Sequence, residues 1–477
     1  MRVKIYAHFE TEDQTTQIIE ITTLHRQTLS NDVTLGLTLQ EEKDISYGIQ
    51  QAMTSMQVKD FIKEQRTCSE CGKKRTIDGY HHLNYRTLFG KLILKSPRLN
   101  ECICKTSKRI SFSPLPLLLT ERTSPELSYL EAKWASLMSY GMTVKLLEEV
   151  LPINIGVSSV FNNAHKVANR LEQELGKEQW SFIDCSQYQW EALPKPDLPL
   201  AVGIDGGYVH GREGKNRKAG CFEVIVGKSL QEQKESKRFG FVSTYDTKPK
   251  RRLYEMLKNQ GFQMNQQITF LSDGGDTVRD LQMLMSPHAE HILDWFHVTK
   301  NITGMKQIVK GLTNQSLKKD CEEELDSIKW FLWHGNTFKA LESIECLENE
   351  LDLDDYDYET GKKINFTKKE NVKKLSKLIE EFDTYIVNNS KLIPNYGIRY
   401  YYGDIISTAF VESTVNEVIS KRMVKSQQMR WTKQGAHLLL QLRIKNLNHE
   451  LRDHFSKWYP SMKECQPNYE NTLKEVA

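Results

Sequence analysis

Two apolar runs in this chain each lead into the sequence Asp-Gly-Gly. One run precedes Asp205 and the other precedes Asp273. An aspartate at the carboxyl end of a buried strand lies at the edge of its sheet, where open α/β folds bind ligands, and the glycines let backbone and ligand approach closely. A capped turn can also contain Asp-Gly, so each aspartate alone has a purely structural interpretation as well. Together the two runs predict an α/β fold with both carboxylates at a sheet edge.

A third carboxylate, Glu412, lies far downstream, where residues 407–416 open a long basic helical stretch. Two strand-end aspartates and one helical glutamate form a ligand set that can hold two divalent cations against a phosphodiester. Mg²⁺ (or Mn²⁺) takes hard oxygen ligands and keeps coordination positions for water and substrate. Asp276 and Asp280 are further acids close to Asp273, and we interpret them as residues that cap and solvate a helix.

Residues 198–297 alternate between strand and helix patterns. Five apolar runs predict strands, and helices are expected over Lys250–Gln260 and Thr277–Met285. The expected strands are Ala201–Val209, Cys221–Val226, Phe239–Tyr245, Ile268–Leu271 and His291–Phe296. Three consecutive strands, a helix and two more strands predict a mixed sheet with helices packed on it.

Four of the nine cysteines form two close pairs along the chain. They are Cys68, Cys71, Cys102 and Cys104. Cys-x₂-Cys-Gly forms a tight knuckle, and the second pair completes a tetrahedral site for structural Zn²⁺, since four thiolates leave no open coordination position. Four unrelated thiols, or His81 or His82 in place of one cysteine, are the alternatives. The other cysteines are expected to be packing residues, and they are Cys185, Cys221, Cys321, Cys346 and Cys465.

The charge of the chain is unevenly distributed. The net charge is only +3, from 65 Lys and Arg against 62 Asp and Glu, but residues 341–360 contain nine acids and no Lys or Arg. The remaining 53 acids leave the rest of the chain clearly basic, which favours a polyanionic partner such as DNA. No apolar run approaches the roughly 20 residues of a membrane span, and the first ten residues lack a secretory signal. We therefore expect a cytoplasmic, nucleoid-associated protein without a disulfide framework.

Basic residues follow Glu412 on the same stretch of chain. The candidates for DNA contacts are Lys421, Arg422, Lys425, Arg430 and Lys433. The first three recur at helical spacing and are expected to share one helix face. A basic face beside a metal site is suited to binding phosphates, although an ordinary solvated helix face has the same pattern.

Three short helices are expected within residues 127–175 from the spacing of their apolar residues. They are similar to a helix-turn-helix, with about Val157–Arg170 as the recognition helix. Candidate DNA contacts on it are His165, Lys166 and Arg170. A scaffold or a dimer interface is the alternative interpretation of these helices.

These patterns divide the chain into segments of different character. The Pro-rich stretch 193–199 is interpreted as a linker between helical and strand-rich regions. The expected segments are a region of unclear role over 1–60, a zinc ribbon over 61–120, a helix-turn-helix-like region over 121–192, a first core part over 198–297, an all-helical insertion with the acidic tract over 298–395, a second core part over 396–450 and a polar tail over 451–477.

Several blocks of the sequence resemble one known family. Asp205-Gly, Ser272-Asp273-Gly and Val411-Glu412-Ser413-Thr resemble the three DDE motif blocks of RNase H-like transposases. The further blocks are similar to the Kra family of bacterial insertion-sequence transposases, whose catalytic core is related to Mutator-like transposases. The resemblance covers roughly residues 60–450. These further blocks are Gly206–Val209, Gly214–Lys218, Leu271–Asp276, Asp294–His297 and Gln427–Thr432.

The resemblance implies an RNase H-like core in which Asp205, Asp273 and Glu412 hold two Mg²⁺ ions. It further implies binding to the terminal inverted repeats of an insertion sequence, assembly as a homo-oligomer on DNA, and metal-dependent strand cleavage and strand transfer. Mutator-like enzymes carry Cys-x-x-His after the second aspartate, whereas this chain has Asp294 in place of the cysteine and retains His297. His297 is therefore either beside the active site or a core histidine.

Two other functions fit parts of the sequence. An ATP-using sugar kinase or ATPase of the actin-like superfamily also has Asp-Gly after a strand, as in Gly203–Gly207. That interpretation leaves the cysteine pairs and Glu412 with its basic stretch unexplained. The non-enzyme alternative is a DNA-binding regulator that has kept the fold without the activity, and the presence of all three acids argues against it.

Overall fold

The computed structural model describes residues 1–10, 16–26, 36–105, 110–184, 186–194, 196, 198–213, 220–282, 285–286, 288–353, 370–425 and 429–462. Within these ranges the chain forms three sheets and sixteen α-helices, so the mixed α/β class expected from the sequence is confirmed. Cys185, Cys465, the block Gly214–Lys218, Gln427 and much of the acidic tract lie outside the described residues.

Contacts within the chain divide it into two compact units. The first contains Met1–Ala168 with His449–Ala477, and the second contains Asn169–Asn448. The boundary falls inside the expected helical region 121–192, within the third of its predicted helices. The elements of the first unit are β1 (Arg2–Glu10), β2 (Thr16–His25), α1 (Leu39–Arg66), β3 (Ile77–Thr87), β4 (Gly90–Asn100), β5 (Ser111–Phe112), α2 (Leu115–Leu118), α3 (Pro125–Leu137), α4 (Tyr140–Val150), the first part of α5 (Val157–Glu174) and α16 (Leu451–Trp458).

The amino-terminal region, which carries little sequence pattern, forms an antiparallel β1–β2 hairpin followed by the long helix α1. A capping box starts α1, because the Thr38 side chain accepts from the Glu41 backbone N–H while the Glu41 side chain accepts from the Thr38 backbone N–H. The following ribbon pairs β3 with β4, and its inner leucines pack on α1.

The three helices expected after the ribbon are present as α3, α4 and α5. The side chain of Ser124 caps α3, and Pro125 occupies its first position, where no intrahelical N–H bond is lost. Helix α4 begins three residues earlier than Thr143, the expected start, because Ser139 caps it by accepting from the Met142 backbone N–H.

The second unit is built on a five-stranded sheet with the order β10-β9-β6-β7-β8. Strands β6, β7 and β8 are antiparallel neighbours, whereas β6, β9 and β10 run parallel, so the mixed sheet is confirmed. The elements are α6 (Gln187–Glu191), β6 (Leu200–His210), β7 (Cys221–Leu230), β8 (Arg238–Val242), α7 (Pro249–Gln260), β9 (Ile268–Ser272), α8 (Asp276–Gln282), β10 (Ala289–Leu293), α9 (Trp295–Val309), α10 (Gln315–Trp333), α11 (Thr337–Leu353), α12 (Glu370–Asn389), α13 (Tyr396–Tyr401), α14 (Ala409–Val415) and α15 (Lys433–Leu447).

Each face of this sheet has its own apolar core. Side chains alternate along a strand, so Leu200, Val202 and Ile204 of β6 face α7 and pack with Leu253 and Leu257. The opposite face carries Asp205 and Val209, and the helices after residue 408 cover it. Helices α9 to α12 form a separate apolar cluster in the part of the chain where an all-helical insertion is expected.

The last expected strand, His291–Phe296, is wrong at its carboxyl end. Strand β10 stops at Leu293, and Trp295 begins α9. The reason is Asp294, whose side chain accepts from the backbone N–H of Phe296 at 2.9 Å and so caps a helix. His297 therefore lies in the first turn of a helix instead of at the end of a strand.

Candidate functional site

Three neighbouring parallel strands of the second unit reach the same edge of the sheet. Strand β6 pairs with β9 so that Gly203 lies opposite Leu271. Two residues further along both strands, this register sets Asp205 level with Asp273. Strand β10 pairs with the last residue of β9, which places Asp294 next in the row. The topology thus brings three aspartates to one edge.

Asp205 lies within its strand and not at its end. Strand β6 continues to His210, and Gly206 and Gly207 pair with Ile225 and Val224 of β7. The edge forms beside Asp205 because the neighbouring strand β9 stops at Ser272. The Asp-Gly-Gly sequence of β6 is therefore extended strand, and neither a capped turn nor a phosphate loop describes it.

The carboxyl of Asp205 is half-buried, and burial is the main cause of its raised pKa. The Gly206 backbone N–H, which donates to it at 2.7 Å, lowers the pKa, as does charge on His297. Negative charges on Asp273 and Asp294 raise it. Because Coulomb interactions weaken with distance, these effects identify the four ionisable groups as neighbours, with carboxylates in excess.

Helix α14, which carries Glu412, crosses the face of β6 from which Asp205 projects. Gly203 and Gly207 flank Asp205 on that face. A β-carbon at Gly203 would collide with Val411 of α14, and a β-carbon at Gly207 would lie 3.1 Å from the Cγ1 atom of Val415. The two glycines therefore let the helix lie directly on the strand, and Glu412 is exposed in its first turn.

Asp294 fixes the start of α14. Its buried carboxylate accepts from the backbone N–H of Thr408 at 2.9 Å and also from the Thr408 hydroxyl. Thr408 is the residue immediately before α14. A fully buried carboxylate with these donors joins the end of β10 to the helix that carries Glu412, so Asp294 is a positioning residue.

His297 lies beside this carboxylate row. Its Nε2 atom is 3.7 Å from Oδ2 of Asp294, one turn into α9, and a quarter of its side chain is exposed. His297 is thus partly exposed and next to Asp294, and its role at the site stays a prediction.

Two residues of α12 in the insertion, Asn389 and Tyr385, contribute to the candidate site although no sequence pattern indicated them. Gly274, which follows Asp273, has φ of +88°, and a β-carbon there would collide with the Asn389 side chain at the end of α12. Arg279 of α8 donates to the side-chain oxygen Oδ1 of Asn389 at 2.8 Å and to the backbone carbonyl of Gly274 at 3.3 Å. These contacts fix the loop that presents Asp273.

Tyr385 is the second of these residues, one helical turn before Asn389 in α12. Its hydroxyl is buried and has no hydrogen-bond partner among the described residues. Burial raises the pKa of Tyr385 first, and the charges on Asp273 and Asp294 raise it further. The phenol is therefore a neutral donor held close to the carboxylate row. In the sequence, only the helical spacing of Tyr385 from Phe382 and Ile386, which lie on the buried side of α12, indicates that this tyrosine faces inward.

The two further acids after Asp273 differ in what the structure describes. Helix α8 begins at Asp276, whose side chain lies outside the described residues, and Asp280 is exposed. An exposed acid on a short helix matches the solvating role expected for Asp280.

The four predicted cysteines come together in the first unit. Their Sγ atoms all lie within 4.8 Å of one another, with 3.5 Å between Cys68 and Cys104 and 3.3 Å between Cys71 and Cys102. Gly72, with φ of +71°, turns the first knuckle, and its N–H donates to the Cys68 carbonyl at 2.9 Å. The backbone N–H groups of Cys71 and Glu70 lower the pKa of the Cys68 thiol to about 6.

This cluster fits a zinc ion. Tetrahedral Zn²⁺ with Zn–S bonds of about 2.3 Å separates its sulfurs by roughly 3.8 Å, and these four sulfurs are already near that spacing. Four sulfurs complete the site, so neither His81 nor His82 is needed as a substitute ligand. Among the other cysteines, Cys321 is buried in the helical insertion, as expected of a packing residue, whereas Cys346 is exposed.

The basic stretch after Glu412 differs from the expectation. Residues Asn416–Val424 form a π-helix, in which hydrogen bonds run from i to i+5 and the helical phase changes. Lys421 is exposed, but Arg422 is fully buried with its guanidinium 5.4 Å from the Trp431 ring centre. Lys425 is exposed and donates to the Asn416 side chain. The expected shared face is therefore not formed, and Arg422 is a core residue instead of a DNA contact.

The remaining basic candidates are exposed to different degrees. Arg430 and Lys433 are exposed around the start of α15. On α5, Lys166 pairs with Glu121 at 2.9 Å, and Arg170 lies 4.0 Å from Glu174. His165 stacks on Phe161 with ring centres 4.0 Å apart, and burial lowers its pKa. The candidate contacts of α5 thus already have partners within the chain.

Within the described ranges, no helix combines the length and the apolarity that crossing a bilayer requires.

Comparison with known proteins identified no relative by sequence. No family model matches the sequence, and no curated protein matches it. Among solved structures, the chain is similar to a Drosophila P element transposase strand transfer complex, with 10% sequence identity and a TM-score of 0.31. The match covers 72% of this chain and 94% of that chain. A likeness this distant is too weak to support a conclusion about this protein.

Proposed function

We propose that this protein is a DDE transposase with an RNase H-like core, in which Asp205, Asp273 and Glu412 bind two Mg²⁺ (or Mn²⁺) ions. The observation that carries the proposal is the register of β6 and β9, which sets Asp205 level with Asp273. The helix that carries Glu412 lies on the same face of β6. Assignment to the Kra family rests on the sequence blocks described above.

The residues at this edge suit divalent cations. Three carboxylates supply hard oxygen ligands and leave coordination positions for substrate phosphate. The pKa of Asp205 is raised mainly by burial and further by the charges on Asp273 and Asp294, and a bound cation would favour its ionised form. When bound, two such ions stabilise the attacking and leaving oxygens of an in-line displacement at phosphorus.

The protein's own contribution is positioning and charge, as expected where little covalent chemistry falls to side chains. Asp294 holds Thr408 and so places Glu412 over the sheet edge. Asn389 and Arg279 hold the loop after Asp273. His297 adds a partly exposed imidazole that can donate to a phosphate oxygen, and Tyr385 adds a neutral, buried phenol that can donate to a carboxylate of the row.

Duplex DNA is the proposed partner. The protein would bind the terminal inverted repeats of its own element as a homo-oligomer, in association with the nucleoid, and Zn²⁺ at the cysteine cluster would stabilise the ribbon. The proposed phosphate contacts are the exposed Lys421, Lys425, Arg430 and Lys433, together with Lys166 and Arg170 of α5. Arg422 is not among them because it is buried.

A cleavage assay tests the proposal. Purified protein is incubated with Mg²⁺ and DNA that carries the repeats flanking its own coding region, and strand breaks are mapped. Asp205→Asn should lower cleavage by about a thousandfold or more, since it removes a metal ligand whose charge is required in the transition state. DNA binding, measured without Mg²⁺, should be retained.

Asp280→Asn is the matched control, because it removes an exposed acid in the helix that follows Asp273. This variant should cleave normally. Near-normal cleavage by Asp205→Asn would remove this residue from the site. Wild-type protein that binds the DNA without cutting it would favour the inactive regulator, and nucleotide hydrolysis without DNA cleavage would favour the kinase-like alternative.

A further inference from the structure

The β3–β4 ribbon of the first unit has one face in the core and one in solvent. Leu83, Leu92 and Leu94 point inward and pack on Val58 of α1 and on Leu115. Because side chains alternate along strands, the residues between them point outward, and they are exposed. These residues, here called the outer ribbon face, are Tyr80, His82, Asn84 and Arg86 on β3 and Lys91, Ile93 and Lys95 on β4.

The outer ribbon face is strongly cationic. Three of its seven residues carry a permanent positive charge, and the strand register sets Arg86 opposite Lys91 and His82 opposite Lys95. The two strands contain a single acid, Asp78 at the start of β3. Like charges directly opposite each other destabilise a sheet, so stability alone does not explain this composition.

Two of these cations lack a counter-ion. Lys91 and Lys95 form no ion pair with any residue in the part of the chain that the structure describes. The Lys95 ammonium lies 4.3 Å from the ring centre of Tyr80, a contact that leaves its charge unneutralised. The basic residues of α5 that are predicted to contact DNA, in contrast, already lie beside acidic side chains. The ribbon therefore presents the charge complement of a polyanion.

We propose that the outer ribbon face binds in the major groove of duplex DNA. That groove is about 12 Å wide and admits a two-stranded β-ribbon, whose strands lie about 4.8 Å apart. The choice of DNA among polyanions rests on the proposed function. Lys91 and Lys95 neutralise phosphates, while Asn84 is of the residue type that binds adenine edges.

Duplex RNA fits this surface poorly, because the major groove of the A form is too deep and narrow for side chains to read. The cysteine cluster supports the same use of the ribbon. Cys71 lies before β3 and Cys102 follows β4, so a metal ion there would fix the base of both strands and hold the outer face rigid.

Binding measured by fluorescence anisotropy against salt concentration, without Mg²⁺, tests the proposal. The double variant Lys91→Ala, Lys95→Ala removes two exposed charges. Each lost phosphate contact should lower the slope of log K against log salt by about 0.9, so the slope should fall by about 2. Affinity at low salt should fall by at least about tenfold.

The matched control removes two exposed positive charges elsewhere in the same unit, as Lys59→Ala, Lys457→Ala. Its salt slope should stay within about one contact of wild type. Zinc content and thermal unfolding of both variants establish that the ribbon remains folded. A ribbon variant whose slope and affinity equal those of the control would overturn the proposal. A ribbon variant that loses binding to acidic polypeptides but keeps its affinity for DNA would also overturn the proposal.

The groove is tested on wild-type protein by methylation interference. Methylation of guanine N7, which lies in the major groove, should block binding within the protected site. Methylation of adenine N3, which lies in the minor groove, should not. Interference by adenine N3 alone would contradict the inference. If DNA binding depends on the ribbon but no cleavage occurs, the proposed function is rejected and the ribbon surface stands. If cleavage does not depend on the ribbon, the ribbon surface is rejected and the proposed function stands.

Discussion

The cysteine cluster and the proposed carboxylate site draw on the chain in opposite ways. The four cysteines flank one ribbon, and pairing of β3 with β4 is enough to bring the two pairs together. Asp205 lies in β6, Asp273 follows β9 and Glu412 lies in α14, so the proposed site depends on the fold of the whole second unit. Among the described residues, only the four cysteines form a group already spaced to hold a metal ion. A closed set of sulfurs suits a structural ion, and an open set of oxygens suits ions that also bind substrate.

This difference has an energetic consequence. Metal bound by a closed site contributes directly to folding, whereas carboxylates crowded at an open site oppose folding until a cation is bound. Removing a cysteine should therefore destabilise its unit, and removing the charge of Asp205 should stabilise the other unit. The following changes separate the two cases, in order of decreasing effect.

Cys71→Ser should abolish zinc binding and unfold the ribbon locally. The expected effect is large, because structural zinc contributes on the order of 10 kcal/mol in small zinc-binding domains. Metal analysis and limited proteolysis measure it, with wild type expected to hold one zinc per chain. Cys346→Ser, at an exposed cysteine outside the cluster, should change neither. Wild-type protein purified without chelators that contains no zinc would remove the site.

Asp294→Ala should lower the free energy of unfolding by about 1–3 kcal/mol, because it leaves the buried Thr408 donors without an acceptor. Urea denaturation measures this, and cleavage should fall as α14 loses its anchor. Asp280→Ala, at an exposed position, should change stability by about 0.5 kcal/mol or less. Equal effects of the two substitutions would show that Asp294 does not hold the helix.

Tyr385→Phe should lower cleavage by about tenfold, which is about 1.4 kcal/mol in the barrier. Stability should not fall, since the hydroxyl has no partner among the described residues. The comparison of kcat with urea denaturation separates these effects, and Tyr402→Phe, at an exposed tyrosine, serves as the control. Full activity of Tyr385→Phe would limit this residue to packing.

Asp205→Asn should stabilise the protein slightly at neutral pH. The pKa of Asp205 is raised above its ordinary 3.8 in the folded state, so the folded protein holds this proton more tightly than the unfolded chain does. Ionisation therefore costs stability as pH rises through this range, and the cost disappears below about pH 3.8. Thermal unfolding against pH should show the variant gaining stability above that range only. A variant less stable than wild type at pH 7 without metal would contradict this.

The sequence predicted what depends on local pattern. The two cysteine pairs, with a spacer that forms a ribbon, indicated their cluster, and the apolar runs before Asp205 and Asp273 indicated their strands. In each case a few adjacent residues determine the structure. The outer ribbon face was also present in the alternation of β4, but only the position of α1 shows which side of the ribbon is buried.

Features that depend on tertiary packing were not predictable in this way. The exposure of a basic helix was expected from α-helical phase, but the π-helix changes that phase and buries Arg422. Asp294 was interpreted by its place in a motif, whereas its contact with Thr408 joins segments more than a hundred residues apart. Tyr385 lies on a helix with no nearby motif, and only the folded insertion brings it to the carboxylates.

Binding of Mn²⁺, followed by electron paramagnetic resonance on wild type and single variants, most directly tests whether the three acids form one metal site. We predict that Asp273→Asn and Glu412→Gln each weaken Mn²⁺ binding by at least about tenfold while zinc content and thermal unfolding stay unchanged. Asp280→Asn should bind Mn²⁺ as wild type does. Wild-type affinity in Glu412→Gln would contradict the shared site, because it would separate the helical glutamate from the aspartates at the sheet edge.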